Sequence, residues 1–407
     1  MFLSTVDTTH SKMRISNTPS WLKGVMLAAV FGTFGWLSFV VFSAPPLARF
    51  ASYSVPTASR SAYAPRFHTR FASHGKTPFV HSAAAVQISD GRLRAFWYGG
   101  SREHAKDVAI YTAIFDPQKG LWGPERVLVT AGDTQRHLSR YIKQLGNVVV
   151  VKDRSGQLWL FYVSVSVGRW SGSAINLIIS PDDGESWSPP LRLIASPFLN
   201  LSTLVKGPPL LLEDGTIGLP VYHELIGRFG ELLRLDRAGR VIQKTRLSWG
   251  TSSLQPVIIP RTTMDAIAVM RYSGPSPRRI LSLHTTDGGF RWSQPVKTDL
   301  PNPNSAIAGI RLNNGALLLV FNDSEKARDD LALAYRQRGG DTWRTLHHFE
   351  NEKTGAEGGR HEFSYPWLFR TDNGDFHLLY TWHGTHIKHI QFNEAWLDQK
   401  LRYPSRH

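Results

Sequence analysis

Ser180-Pro181-Asp182-Asp183-Gly184-Glu185-Ser186-Trp187 and Thr285-Thr286-Asp287-Gly288-Gly289-Phe290-Arg291-Trp292 share one pattern, S/T-x-D-x-G-x-x-W. Its chemistry is local. The hydroxyl and the carboxylate can hydrogen-bond the loop's own backbone, Gly supplies a positive φ, and Trp plugs the apolar layer beneath. Two copies about 105 residues apart, each after an apolar, strand-like run, imply a structural repeat. Worn copies fill the gaps. Asp116 to Trp122 keeps an acid, a Gly and the Trp; Arg336 to Trp343 keeps Gly340 and Trp343; Leu235 to Arg240 is a remnant.

A second series has the same period. Hairpin corners at Asp90-Gly91, Ser155-Gly156, Asp214-Gly215, Met264-Asp265, Asn314-Gly315 and Asn373-Gly374 each precede a β-rich apolar run. They recur every 50 to 65 residues or so. Six units of four short strands closing into a ring predict an all-β, six-bladed β-propeller over 78–395. An open β-sandwich would need the recurrence to be coincidence, and no βαβ alternation competes.

The chain has 47 Lys and Arg against 32 Asp and Glu, a net charge of +15, and no cysteine. Disulfides and thiolate chemistry are therefore excluded. The basic residues are scattered, without a Lys/Arg run or a nucleic-acid-binding module, so no nucleic-acid partner is expected, whereas anionic glycans or membrane surfaces suit the charge. Residues 25–42 carry no charge and follow Lys12, Arg14 and Lys23. They predict a transmembrane anchor, a cytoplasmic segment over 1–24, and a propeller on the periplasmic or extracytoplasmic side of the plasma (inner) membrane. A cleaved signal peptide is the rival, with a cut after Ala44 that would face Pro45 and Pro46. The Pro-, Ser- and Ala-rich 43–77 reads as a stalk, and 396–407 as a tail.

The stretches FWYGGSREHAKDVAIY (96–111), LPNPNSAIAGIRL (300–312) and EFSYPWLFRTDNGDFHLLYTWHGTHIKHI (362–390) carry a resemblance over 78–392. The chain resembles the sialidase (neuraminidase) superfamily, in its bacterial branch of BNR, or Asp-box, repeats. That resemblance implies a membrane-anchored exo-glycosidase that removes a terminal acidic sugar from a glycan by a retaining mechanism. In that family three arginines hold the substrate carboxylate, a Tyr assisted by a Glu is the nucleophile, and an Asp is the acid/base. A neutral phenol avoids the repulsion that a carboxylate nucleophile would meet beside the sugar's own carboxylate.

Carried over by residue, the resemblance makes Tyr365 the nucleophile and Arg271 and Arg328 the carboxylate clamp. Glu103 becomes the acid/base, with Asp107 the alternative and Arg102 beside them as a further substrate contact. The chain departs from the family at two places. His81-Ser82-Ala83 stands where the first arginine is expected; protonated, His81 could still meet an anion. Ser253-Leu254-Gln255 stands where the activating Glu is expected. Glu224 and Glu362 are the substitutes, and strand alternation favours Glu224, because three residues separate Glu362 from Tyr365. His383, His386 and His389 divide between the two faces of a strand, so no metal site is expected, and nothing calls for a cofactor. Two other readings stay open: a non-catalytic propeller that binds polysaccharide, and a lyase acting on an acidic polysaccharide.

Overall fold

The computed structural model describes residues 19–42, 48–51, 64–168, 170–196, 200–250, 252–352 and 362–403, with the backbone alone over 37–42. Residues 1–18 and most of 43–63, parts of the expected cytoplasmic segment and stalk, lie outside this set. The chain divides into two units, Met1–Pro46 and Leu47–His407. The first contains the helix Ser20–Phe42. Among the described residues no helix is long and apolar enough to cross a membrane, so the anchor expected over 25–42 is not supported.

In the second unit six antiparallel sheets form the blades of the expected propeller. Blade 1 has inner strands Phe79–Gln87 and Leu93–Gly100. Blade 2 begins at Gln144–Lys152, blade 4 at Ser253–Pro260, blade 5 at Ala308–Arg311 and blade 6 at Phe363–Arg370. Blade 3 splits its innermost strand into Leu204–Val205 and Leu210–Leu211. Each of the six predicted corners turns the chain from the first strand of its blade into the second. Of the strands so joined, Leu93–Gly100, Leu158–Val165 and Leu317–Asn322 are buried along their whole length, as sheets packed on both faces require.

The two complete repeat motifs fold alike. Gly184 N donates to Ser180 Oγ (2.7 Å), Ser186 N to Asp182 Oδ1 (2.8 Å), and Trp187 Nε1 to the Gly184 carbonyl (2.9 Å). The equivalents are Gly289 N to Thr285 (3.1 Å), Arg291 N to Asp287 (2.9 Å) and Trp292 to Gly289 (3.0 Å). Gly184 and Gly289 sit at φ 94° and 88°, where a side chain would be strained. Both motifs follow the third strand of their blade, at the end where the hairpin corners lie. They staple the scaffold at the end opposite the candidate site.

The ring closes through Phe67–Phe71, which pairs antiparallel with His386–Phe392 as the outer strand of blade 6, in the register Phe67↔Phe392. This corrects the stalk boundary: the propeller begins before residue 78. Phe50 is fully buried, pairs with Leu212, and donates its N–H to the Thr263 carbonyl (2.8 Å), so this segment too is docked on blades 3 and 4. The expected tail is corrected likewise. Glu394–Arg402 is a helix capped by the Asn393 side chain, and Trp396 and Leu397 bury its inner face.

Candidate active site

A bulge near the start of the inner strand interrupts blades 1, 2, 4 and 6, at His81/Ala84, Leu145/Val148, Leu254/Val257 and Ser364/Trp367. Ser82 (φ 54°), Gln255 (φ 52°) and Tyr365 (φ 55°) occupy the left-handed region within three of them. An extra residue in one strand re-aims the side chains around it. Here the bulges turn His81, Asn147 and Tyr365 toward a cavity of about 540 Å³, within the ordinary range for small-molecule sites.

Seven of the eight expected site residues line this cavity: His81, Arg102, Glu103, Glu224, Arg271, Arg328 and Tyr365. Asp107 does not. Its carboxylate accepts from Ser101 N (2.9 Å) and Ser101 Oγ (3.0 Å), closing the loop that carries Arg102 and Glu103. It is the brace of that loop rather than the alternative acid. The same loop docks on blade 2, where the His104 ring lies 5.1 Å from that of Trp170 and Nδ1 lies 2.9 Å from Gln144 Nε2.

The two arginines share one bracket. Arg271 Nε donates to Asn304 Oδ1 (2.7 Å) and its Nη1 to Gln255 Oε1 (3.2 Å). Arg328 donates to Glu362 Oε1 (2.6 Å) and to the Asn304 carbonyl (2.9 Å). Asn304, at φ 59°, thus holds one guanidinium by its side chain and the other by its backbone. Because guanidinium can only donate, the Gln255 oxygen must face Arg271 and its NH₂ must face the phenols. Accordingly Nε2 donates to the hydroxyls of Tyr365 and Tyr222, both at 3.2 Å. An amide at this place cannot take the phenolic proton.

Glu362 also lines the cavity, contrary to the expectation from strand alternation. The strand begins only at Phe363, and the bulge at Tyr365 breaks the period of two between them. Burial pulls the Glu362 carboxyl upward, but the charge and hydrogen bond of Arg328, with help from Ser364, hold it below its usual value. Burial raises Glu224 against the opposing pull of Arg271 and Arg228, which makes its carboxylate a stronger base than a free one. Burial pushes the His81 ring down to about 3, reinforced by Arg328, Lys206 and Arg271 and opposed by Glu362. His81 is therefore neutral, which corrects the expectation of a cationic His in the clamp. Its ring packs 4.3 Å from that of Tyr365, as a wall.

The resemblance did not point to Lys206, Asn147, Tyr222, Trp170 or Asn304. The one available signal for Lys206 was a lone lysine in the apolar run Leu204-Val205-Lys206-Gly207-Pro208. No group of His, Asp and Glu among the described residues could hold a metal ion.

A six-bladed ring with cations, carboxylates and a bulge-borne Tyr around one cavity defines a sialidase-like propeller. The model of the BNR repeat-like domain matches residues 91–378, more than half of the chain, and the chain belongs to that family. Solved structures share the fold. A Hadza microbial sialidase is 16% identical at a TM-score of 0.65, with 80% of this chain and 68% of that one covered. The leech intramolecular trans-sialidase, complexed with 2,7-anhydro-Neu5Ac, is 11% identical at 0.65, over 84% and 72%. A Dyadobacter fermentans protein of unknown function is 13% identical at 0.63, over 80% and 97%. At these identities the likeness is one of fold. No curated protein matches the chain.

Proposed function

We propose that the protein is an exo-acting glycoside hydrolase that removes a terminal acidic sugar from a glycan. The supporting observation is the convergence of Tyr365, Glu103, Glu224, Arg271 and Arg328 on one cavity. In this reading Arg271 and Arg328, pre-aimed by Asn304, receive the sugar carboxylate by charge-assisted hydrogen bonds. The Tyr365 oxygen bonds to the anomeric carbon as the glycosidic bond breaks. Glu103 gives its proton to the departing oxygen, and the phenolic proton passes to Glu224. Water then attacks the same carbon, losing a proton to Glu103, while Glu224 returns a proton to the departing phenol.

The test is hydrolysis of fluorogenic N-acetylneuraminic acid and glucuronic acid glycosides by the full chain. Turnover is expected, with a loss of at least about 100-fold in Glu103→Gln and complete loss in Tyr365→Phe. Full activity in Tyr365→Phe would end this reading.

One observation favours a second reading, a propeller that binds acidic glycans without cleaving them: Gln255 offers an amide, not a base, to the Tyr365 hydroxyl. Saturable binding of an acidic oligosaccharide, unchanged in Tyr365→Phe and Glu103→Gln and without released sugar, would decide for it.

A further inference from the structure

One buried charge beside the cavity has no part in the proposed reaction. Lys206 follows the inner-strand segment Leu204–Val205 and is only 2% exposed. Its Nζ donates to the Pro366 carbonyl at 2.9 Å, and lies 5.8 Å from the centroid of the Tyr365 ring and 5.7 Å from that of Trp367. Among the described residues no carboxylate pairs with it. A buried ammonium without a counter-ion costs stability, and a methionine would fill the same space without that cost.

The carbonyl it holds belongs to the residue directly after Tyr365, inside the bulge. Tyr365 at φ 55° is a bulky side chain in a strained conformation, and something must hold it there. The Pro366 carbonyl is the handle. A cation close to the phenol also favours the phenolate. Gln255 can donate to that phenolate, but it carries no charge.

We infer, on the reading that Tyr365 is the nucleophile, that Lys206 is its positioning residue: the ammonium grips the bulge through Pro366, keeps the phenol aimed into the cavity, and steadies its anionic form. Tyr365 on blade 6 lies under its Nζ, the neutral His81 on blade 1 feels its charge, and Arg271, Arg328 and Glu362 line the same cavity. Burial pushes the Lys206 ammonium down to about 7, which accords with an environment that taxes the charge.

The test is Lys206→Met. Expected are a fall in kcat of about 100-fold, as for a misplaced reacting group, KM within about threefold because the arginine clamp is untouched, and a Tm equal to or above that of the wild type. A purely structural lysine would instead lower Tm and raise KM together, and that result, or an unchanged kcat, overturns the inference. A second readout needs no substrate. In a crystal structure of Lys206→Met, Tyr365 should leave the left-handed region and its ring should turn from the cavity; a Tyr365 unmoved at φ 55° counts against Lys206. If the wild type cleaves no acidic glycoside, the hydrolase reading falls by itself, and the position of Tyr365 still decides the role of Lys206.

Discussion

Lowering the pH from 6.5 to 5 should destabilise this propeller markedly, because buried histidines must charge on protonation. Burial holds His81 and His377 down to about 3 and His389 well below its usual value. All three are buried, and His377 Nδ1 lies 3.0 Å from His389 Nε2, which in turn receives the Trp122 indole N–H at Nδ1 (3.2 Å). The unfolded chain binds these protons below about pH 6.5 and the folded chain does not, so stability is full above 6.5 and falls as pH drops toward 3. Each group contributes a slope of about 1.4 kcal/mol per pH unit. Counting the coupled pair once, the loss between pH 6.5 and 5 is about 4 kcal/mol. For the roughly 330 described residues of the second unit that corresponds to a Tm lower by about 6 °C. His348, raised by its hydrogen bond to Asp330, works in the opposite sense only above pH 6.5, so it leaves this window level. Calorimetry at closely spaced pH values reads the slope. His377→Leu should lower Tm at every pH and flatten the acid limb. A Tm that is level from pH 7 to 5, or an acid limb unchanged in His377→Leu, would refute the reasoning.

Two further outcomes follow from the geometry. Arg271→Lys replaces a fork held by Asn304 and Gln255 with a point charge, and should weaken binding of an acidic monosaccharide about 10- to 100-fold in calorimetric titration, with Tm little changed; equal affinity would remove Arg271 from the clamp. Truncation before Arg66 should leave a cooperatively unfolding ring, whereas truncation before Ala72 deletes the closing strand and should abolish the cooperative transition seen by near-ultraviolet circular dichroism.

The blades were readable because turn chemistry is local. A Gly at a corner or in the S/T-x-D-x-G-x-x-W loop is demanded by φ alone, and the residues that satisfy it are neighbours in sequence. The closing strand was not readable. FHTRF has no clean alternation, and its partner lies at the other end of the chain, so nothing nearby marks it as a strand. The candidate site divides in the same way. Arg271, Arg328 and Tyr365 stand in stretches that resemble a known family. Asn304, Gln255 and Lys206 act through bulges and buried contacts between blades, which sequence periodicity does not encode. Glu362 shows the cost of assuming regular strands: one bulge moved it from the expected far face to the cavity wall.

The pairing of Phe67 with Phe392 also sets the order in which the molecule can be completed. During synthesis at about 5–20 residues per second, the first strand emerges roughly 15–65 s before its partner exists. For that time the outer strand of blade 6 exists without the three strands it covers, while blades 1 to 5 are laid down in turn as an arc with two unfinished ends. The last step of maturation therefore joins residues some 325 positions apart, the slow kind of contact that chain-closure entropy disfavours. Until it forms, Tyr365, carried on the final blade, has no ring to face into.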